Sequence, residues 1–515
     1  PPTNTLLVTG TGATVLWNTP AAWSLGHVPT ACENAVITFS RTSNGNVTYI
    51  ISMNVSASVN NLTINGNYGG SGNKVLQILT NANALTVLGN LTISASGGSG
   101  STSEAGLLAS TGSVVMVKGN SIIGQVGDTK ETYIGGVASQ DPDFYFKGDI
   151  TFNNLSSSSY PGTYYFDGGG TQSFINNAIN NYIVFGEVEI GKLLTTSLTL
   201  SGTYAADTYT NIGNLTINSN STLVLPYDAA FNQFTANNGG FILKANSTLK
   251  LGDNFGGQPG SNFPADYSYI SIDKSSTVEY YAISPYNQVI YTDVIYGNLT
   301  LTNNSRKYIN ASLIIDGNLT NNVGSTFGCD ELTVLFGASF INNGIVDGLY
   351  TNSEFGFYGD AAQNYSGTGL FGTAGTPFGS WGVDIYNPAN VTLNASIYTQ
   401  RLNLFNGKFI NSNQLNIGSA TFGLVQRGGV TGENAGEFDT YPAIISVNNY
   451  YVRYDEANAV TTGPEIPVTG KTYNVYANNP NGVSITSNLN VTNDLQLIQN
   501  TLNLNANTLQ VGNLI

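Results

Sequence analysis

The string Gly-Asn-Leu-Thr stands at 89–92, 213–216, 297–300 and 317–320, and the shortest interval between copies runs from Asn298 to Asn318. Each copy leads into alternating apolar and polar residues, as in Leu91-Thr92-Ile93, Leu215-Thr216-Ile217 and Leu299-Thr300-Leu301; Leu62-Thr63-Ile64 repeats the pattern. Period two describes a short strand with one face buried and one wet. The preceding Gly-Asn reads as a turn pair, because both residues tolerate positive φ. In the stretch Ser487–Ile515 the apolar pairs begin at Leu489, Leu495, Leu502 and Leu509, and Leu514 follows, so the starts are six, seven, seven and five residues apart. Strands that short, separated by Asn-rich corners, do not suit an antiparallel meander, whose strands usually run about 5–6 residues. Three of them with their corners sum to about 20 residues, the step from Asn298 to Asn318.

That arithmetic predicts an all-β chain folded as a parallel β-helix with three short strands per coil. Each coil stacks on the last at about 4.8 Å, with Leu, Ile and Val forming an axial core. Corner Asn side chains are expected to stack as amide ladders. Coils of roughly 20–28 residues give about 18–25 coils and a rod on the order of 100 Å long. The alternative is a string of β-sandwich domains with longer strands every 8–12 residues or so. Helical periodicity is absent, which excludes an α-rich fold. The pattern divides the chain into a Trp-rich cap with first strands (1–45), the β-helix (46–420), an irregular β insertion or second module (421–470) and further, truncated coils (471–515). Trp17 and Trp23 are expected to plug one end, because a solenoid exposes its core there.

Charged residues make up only 9% of 515 residues, and the net charge is −15. The 16 basic residues form no cluster that would neutralise phosphates, so nucleic acid is an unsuitable partner. No apolar run reaches the roughly 18–20 residues of a membrane-spanning helix. Two isolated cysteines, Cys32 and Cys329, make neither a disulfide framework nor a zinc site. On the coil model about 300 residues place them roughly 50–70 Å apart, far beyond disulfide reach. High Asn, Thr and Tyr with few Met, Cys and Lys suits an exported protein.

Motifs for chemistry are sparse. The single histidine, His27, has no companion nucleophile or ligand and reads as a turn residue. Paired carboxylates suited to glycoside hydrolysis would be Asp141/Asp143, Asp330/Glu331, Glu437/Asp439 and Asp455/Glu456. Adjacent strand residues point to opposite faces, which weakens 330/331 and 455/456. No phosphate loop, nucleophile elbow, zinc-protease motif or calcium-binding acidic repeat is present. The expectation is therefore a non-enzyme with no cofactor, metal or catalytic residue. The doublets Tyr164-Tyr165, Tyr280-Tyr281 and Tyr450-Tyr451 read as one inward ring and one ring covering the outer face; an exposed Tyr ladder would instead stack sugars. Sequons at Asn61, Asn90, Asn214, Asn298 and Asn318 follow from turn-then-strand chemistry, and also permit N-glycosylation.

A longer phrase recurs as 164–174 (YYFDGGGTQSF), 279–290 (EYYAISPYNQVI) and 355–367 (FGFYGDAAQNYSG), an aromatic strand, a turn, then Gln172, Gln288 or Gln363. With the opening 16–37 (LWNTPAAWSLGHVPTACENAVI) and the units 260–288 and 460–515, the chain resembles the repeat regions of large cell-surface proteins of Bacteroidota exported by type IX secretion. The resemblance implies an extracellular adhesin or structural role. It also implies a longer protein with a C-terminal sorting domain, of which these residues form the N-terminal part. Surface glycans, other cell-surface proteins or the secretion machinery are the partners it implies. The alternatives are a self-assembling extracellular filament subunit and a polysaccharide-active β-helix enzyme. The enzyme would show a lateral groove with convergent carboxylates and a Lys or Arg.

Overall fold

The computed structural model describes the chain outside residues 7–11, 13, 98–102, 126–127, 129, 154–158, 178–182, 203–209, 227–230, 234–238, 253–261, 284–286, 348–351, 380, 430–435, 447–448, 456–457, 470 and 500. It is an all-β parallel solenoid with no α-helix among the described residues. Strand pairing there is parallel throughout, apart from one antiparallel bridge between Leu6 and Trp23. The chain falls into two compact units, Pro1–Gly256 with Asn262–Asp273, and Gly257–Ser261 with Lys274–Ile515.

In the first unit one turn of the coil reads Leu62–Tyr68, Lys74–Leu79 and Leu85–Val87 on three successive faces. The chain then returns in Leu91–Gly97, which lies on Leu62–Tyr68 with Leu62, Thr63 and Ile64 opposite Leu91, Thr92 and Ile93. Leu62, Ile64, Leu91 and Ile93 are fully buried, and the threonines between them face outward. Each such Leu or Ile contributes about 1.5–3 kcal/mol by leaving water. The repeated phrase thus marks the same corner on consecutive coils. The copy at 213–216 differs: Leu215–Ile217 belongs to a strand on the third face, Thr210–Ile217.

Among the described residues the second face ends at Glu131–Gly136, the last of its five strands. From there the third-face strands lengthen to eight residues, as in Ser159–Phe166 and Ile183–Ile190. Losing a corner shortens the coil. The register step is 29 from Ser121 to Ile150 and 24 from Ile150 to Phe174. The long strand bends at a register shift between Tyr160 and Thr163, where Pro161 has no N–H to donate.

The second unit is three-faced again: Asn298–Leu301, Arg306–Tyr308 and Leu313–Ile315 make a turn, and Leu319 then stacks on Leu299, at the interval of the repeated phrase. Other steps there run from 18 (Val391 to Phe409) to 29 (Lys408 to Glu437), a wider range than the repeats suggested. In residues 421–470, Gly423–Arg427 and Tyr450–Tyr454 stack in register on one face, continuing the same parallel ladder. Near the C-terminus one 11-residue strand, Leu489–Gln499, spans two former faces. Its first part pairs with Lys471–Thr472 and its second with Asn474–Asn478.

The corners explain the Gly-Asn pair differently from the turn argument. Gly89, Gly119 and Gly148 stack so closely that a Cβ on Gly119 would lie 2.6 Å from the Gly89 carbonyl oxygen, and one on Gly148 would lie 2.4 Å from that of Gly119. None of the three has a positive φ, so close approach of successive coils is what demands glycine. The asparagines form a ladder of side chain to backbone. The Asn61 Oδ1 accepts the Asn90 N–H at 2.7 Å, Asn90 accepts that of Asn120 at 2.9 Å, and Asn120 that of Asp149 at 3.0 Å. In the second unit Asn298 and Asn318 accept the N–H of Asn318 and Ser339, both at 3.0 Å. An amide-to-amide bond is added where Asn318 Nδ2 donates to Asn298 Oδ1 at 3.2 Å. A corner N–H that the strand ladder cannot reach is thereby satisfied.

Two of the recurring glutamines, Gln172 and Gln363, occupy an inner corner, whereas Gln288 begins a strand on another face and accepts from the Ala282 N–H at 3.1 Å. Gln363 is buried, and its amide donates to the carbonyls of Phe336 (2.9 Å) and Ala338 (2.6 Å) while its oxygen accepts from Asn387 (2.6 Å). Gln172 donates likewise to Phe146 and Gly148 of the preceding coil. A primary amide suits this corner because it both donates and accepts.

Candidate functional site

The residues singled out in the sequence are dispersed. Exposed His27 bridges a turn: Nε2 lies 2.8 Å from Glu33 and Nδ1 is 3.1 Å from the Leu25 carbonyl. The hydrogen bond to Glu33 raises its pKa. Trp17 and Trp23 are buried edge to face at 5.1 Å, and Trp23 Nε1 donates to the Trp17 carbonyl. Cys32 is exposed. Cys329 is buried, and desolvation, with Asp330 and Asp347 next, pushes its thiol pKa up.

Among the carboxylate pairs, Asp330 is 2.5 Å from Arg306, which also reaches Asp347 at 3.4 Å, while Glu331 sits in a turn at φ 58. Glu437 faces Lys408 at 3.5 Å. Asp439 accepts from Ser412 and Asn411; desolvation alone would raise its carboxyl, but these bonds and one from Thr440 bring it to about 2. Asp455 is buried against Arg453, and Glu456 lies outside the described residues. Asp143 faces outward beside Tyr145 and Tyr165, which stack at 4.3 Å. Desolvation, then Asp141, raises the Asp143 carboxyl. The same face carries Glu187, held by Thr163 and Asn214, and a Lys192–Glu189 pair at 3.0 Å.

In the tyrosine doublets Tyr164, Tyr280 and Tyr450 point into the core. Tyr165 lies over Tyr145, and Tyr451 packs beside Phe422 and Tyr473. The sequon amides at Asn61, Asn298 and Asn318 are engaged in corner hydrogen bonds.

The strongest concentration of functional groups was not picked out from the sequence. It lies on the outer side of the face built from Thr333–Phe336, Glu354–Phe357, Gly382–Ile385, Arg401–Leu404 and Gly423–Arg427. Register places Leu335, Gly356, Asp384, Asn403 and Gln426 in one outward column. Gly382 must be glycine, since its φ is +86 and a Cβ would lie 2.0 Å from the Arg401 carbonyl oxygen. The groups form one chain. Asn403 donates to Asp384 at 2.5 Å, and Tyr386 donates to the other Asp384 oxygen at 3.1 Å. Arg401 reaches Asn403 at 2.7 Å and Gln426 at 2.9 Å; Gln426 continues to Asp455 at 3.2 Å, and Asn478 joins Asp455 at 3.1 Å. Asp384 is buried, and desolvation followed by the hydrogen-bonded Glu354 raises its carboxyl well above the usual range. Alongside, Tyr386 and Phe405 stack at 4.7 Å, and Trp381 is 47% exposed.

Chemically, Glu354 and Asp384 are neighbouring carboxyls, and the negative charge of Glu354 adds to burial in raising Asp384. No group of three or more His, Cys, Asp or Glu among the described residues is arranged to hold a metal. In comparisons with known proteins, no family model, no curated protein and no solved structure matches the chain.

Proposed function

We propose that the chain is a structural, adhesive β-helical scaffold exposed outside the cell, which offers its lateral faces to surface glycans or other surface proteins. The observation that carries this reading is the way the outward polar groups are used. Glu354, Asp384, Asn403, Arg401, Gln426 and Asp455 are bonded to one another across successive coils. Groups tied in this way make a stiff, polar surface and are not left free for turnover. The low charge content and the resemblance of 16–37, 260–288 and 460–515 to exported Bacteroidota surface repeats support the same reading. It includes export by type IX secretion as part of a longer adhesin. The test is surface labelling of intact cells with a membrane-impermeant biotin reagent, together with attachment of cells lacking the protein. Labelling and a loss of attachment are expected; an unlabelled protein and unchanged attachment would sink the proposal.

One observation favours a second reading, a polysaccharide-active β-helix: the Glu354–Asp384 pair beside Arg401. Turnover of neutral or acidic polysaccharides that is lost in Glu354→Gln and Asp384→Asn would establish it in place of the scaffold.

A further inference from the structure

The face that carries Ile397–Thr399 and Leu415–Ile417 ends at Ala443–Ile444. Ile417 is fully buried, whereas Ile444, stacked on it, is only half-buried, because no described strand of that face covers its far side. Pro467, Val468, Thr469 and Lys471 lie beside it instead, and a cavity of about 380 Å³ remains. Ile444, Tyr450, Pro442 and Pro467 line it, as do the exposed Tyr441 and Lys471. The Tyr450 hydroxyl is already committed to the Glu465 carbonyl at 2.8 Å, so Tyr450 offers the cavity its ring alone. Tyr441 is 51% exposed, and Lys471 has no ion pair among the described residues.

We infer that this cavity is a binding site for one ring of a neutral glycan; the identity of the ligand rests on reading the chain as a scaffold that meets glycans. Its volume lies within the roughly 300–1,000 Å³ of ligand sites, and its make-up is theirs: apolar and aromatic walls with a few polar groups at the edge. A pyranose matches that division. Its C–H face packs on Tyr441 and the prolines, and its hydroxyls accept from the Lys471 ammonium and bond the Tyr441 hydroxyl. The net charge of −15 disfavours a polyanionic chain, which selects a neutral sugar. The site exists because the coil loses a strand at this point, so it sits where the fold no longer needs the space.

Titration calorimetry of the full chain against cellotetraose, xylotetraose, laminaritetraose, mannotetraose and tetragalacturonate tests this. At least one neutral tetrasaccharide should bind. Tyr441→Ala should weaken it by about tenfold or more, and Lys471→Gln by a smaller factor. Both residues are exposed, so the variants should keep the circular dichroism and melting of the parent. Three results overturn the site: no neutral oligosaccharide binds, both variants bind as the parent does, or tetragalacturonate binds more tightly than every neutral probe. Each leaves the surface-labelling test untouched, so the failure of this site and the failure of the scaffold reading remain distinguishable.

Discussion

Arg427 and Glu465 form an ion pair inside the second unit, with side chains 5% and 0% exposed and Nη1 2.9 Å from Oε1. Arg427 also donates to the carbonyls of Gly436 (3.0 Å) and Thr461 (2.8 Å). The same Glu465 oxygen accepts from the Tyr454 hydroxyl (2.9 Å) and the Gly463 N–H (2.8 Å). At that separation the attraction is about 5–6 kcal/mol for an effective dielectric of about 20, and desolvation of both ions opposes it. The pair as a whole is therefore worth little. Breaking it is costly, because a carboxylate is left buried and unpaired. Arg427→Met should destabilise the unit by about 3–5 kcal/mol. Adding Glu465→Gln removes the stranded charge while keeping an acceptor for Tyr454 and Gly463, and should recover at least about 2 kcal/mol of that loss. Urea unfolding gives the total, and hydrogen exchange of Gly423–Arg427 and Tyr450–Tyr454 locates it. A single variant within about 1 kcal/mol of the parent, or a double variant no better than the single, would refute the reasoning.

Three further outcomes follow from buried or bonded polar groups. Gln363→Leu takes a hydrogen bond from the Phe336 carbonyl and the Asn387 amide, which keep Tyr358 and Ala361, and removes the Gln363 donor from the Ala338 carbonyl, so it should cost about 1–3 kcal/mol in urea unfolding; a neutral result would contradict this. Buried Lys307 donates to the carbonyls of Ala282, Thr302, Asn303 and Ser305, and desolvation lowers its pKa to about 8 from 10.5. The unfolded chain holds the extra proton between those values, so this group makes stability rise with pH from about 8 towards 10.5; Lys307→Met should remove that slope, and an identical pH profile would contradict it. Asp439, depressed to about 2 from 3.8, adds stability that is present above pH 4 or so and lost as pH falls through about 2. Asp439→Asn should flatten the acid limb of the melting curve, and a limb of unchanged steepness would count against the Ser412 and Asn411 hydrogen bonds.

The coil was legible because its signal is local. Leu-Thr-Ile fixes which side chains turn inward, and the interval from Asn298 to Asn318 is the actual stacking step. The reason for the corner glycines was not legible: the positive-φ argument fits any turn, while the contact of Gly119 with Gly89 exists only between coils. The loss of the second face after Glu131–Gly136 left no mark either, because a long strand and two short strands with a corner alternate alike in sequence. The site on the outer face was missed for a related reason. The step from Gly356 to Asp384 is much longer than that from Asp384 to Asn403, so unequal coil lengths hide the column. The pairs read from sequence were neighbours along the chain, whereas a parallel solenoid brings together residues one coil apart. Outward acids in Glu354-Phe355-Gly356-Phe357 and Gly382-Val383-Asp384-Ile385 were the available signal, usable only with the register known.

The central claim is that consecutive coils stack in register at the inter-strand spacing. Thr63, Thr92, Ile122, Thr151, Ile175 and Ser201 follow one another on a single outward line of the first face, five steps in all. At about 4.8 Å per step, Thr63 and Ser201 are roughly 24 Å apart although they are far apart along the chain. Spin labels at Thr63→Cys and Ser201→Cys, with Cys32 and Cys329 replaced by serine, give that distance directly by double electron–electron resonance. A single narrow distribution centred at roughly 24 Å, widened only by the label arms, is the result this account predicts. A broad distribution, or one centred beyond about 40 Å, as successive separate domains would give, would contradict it.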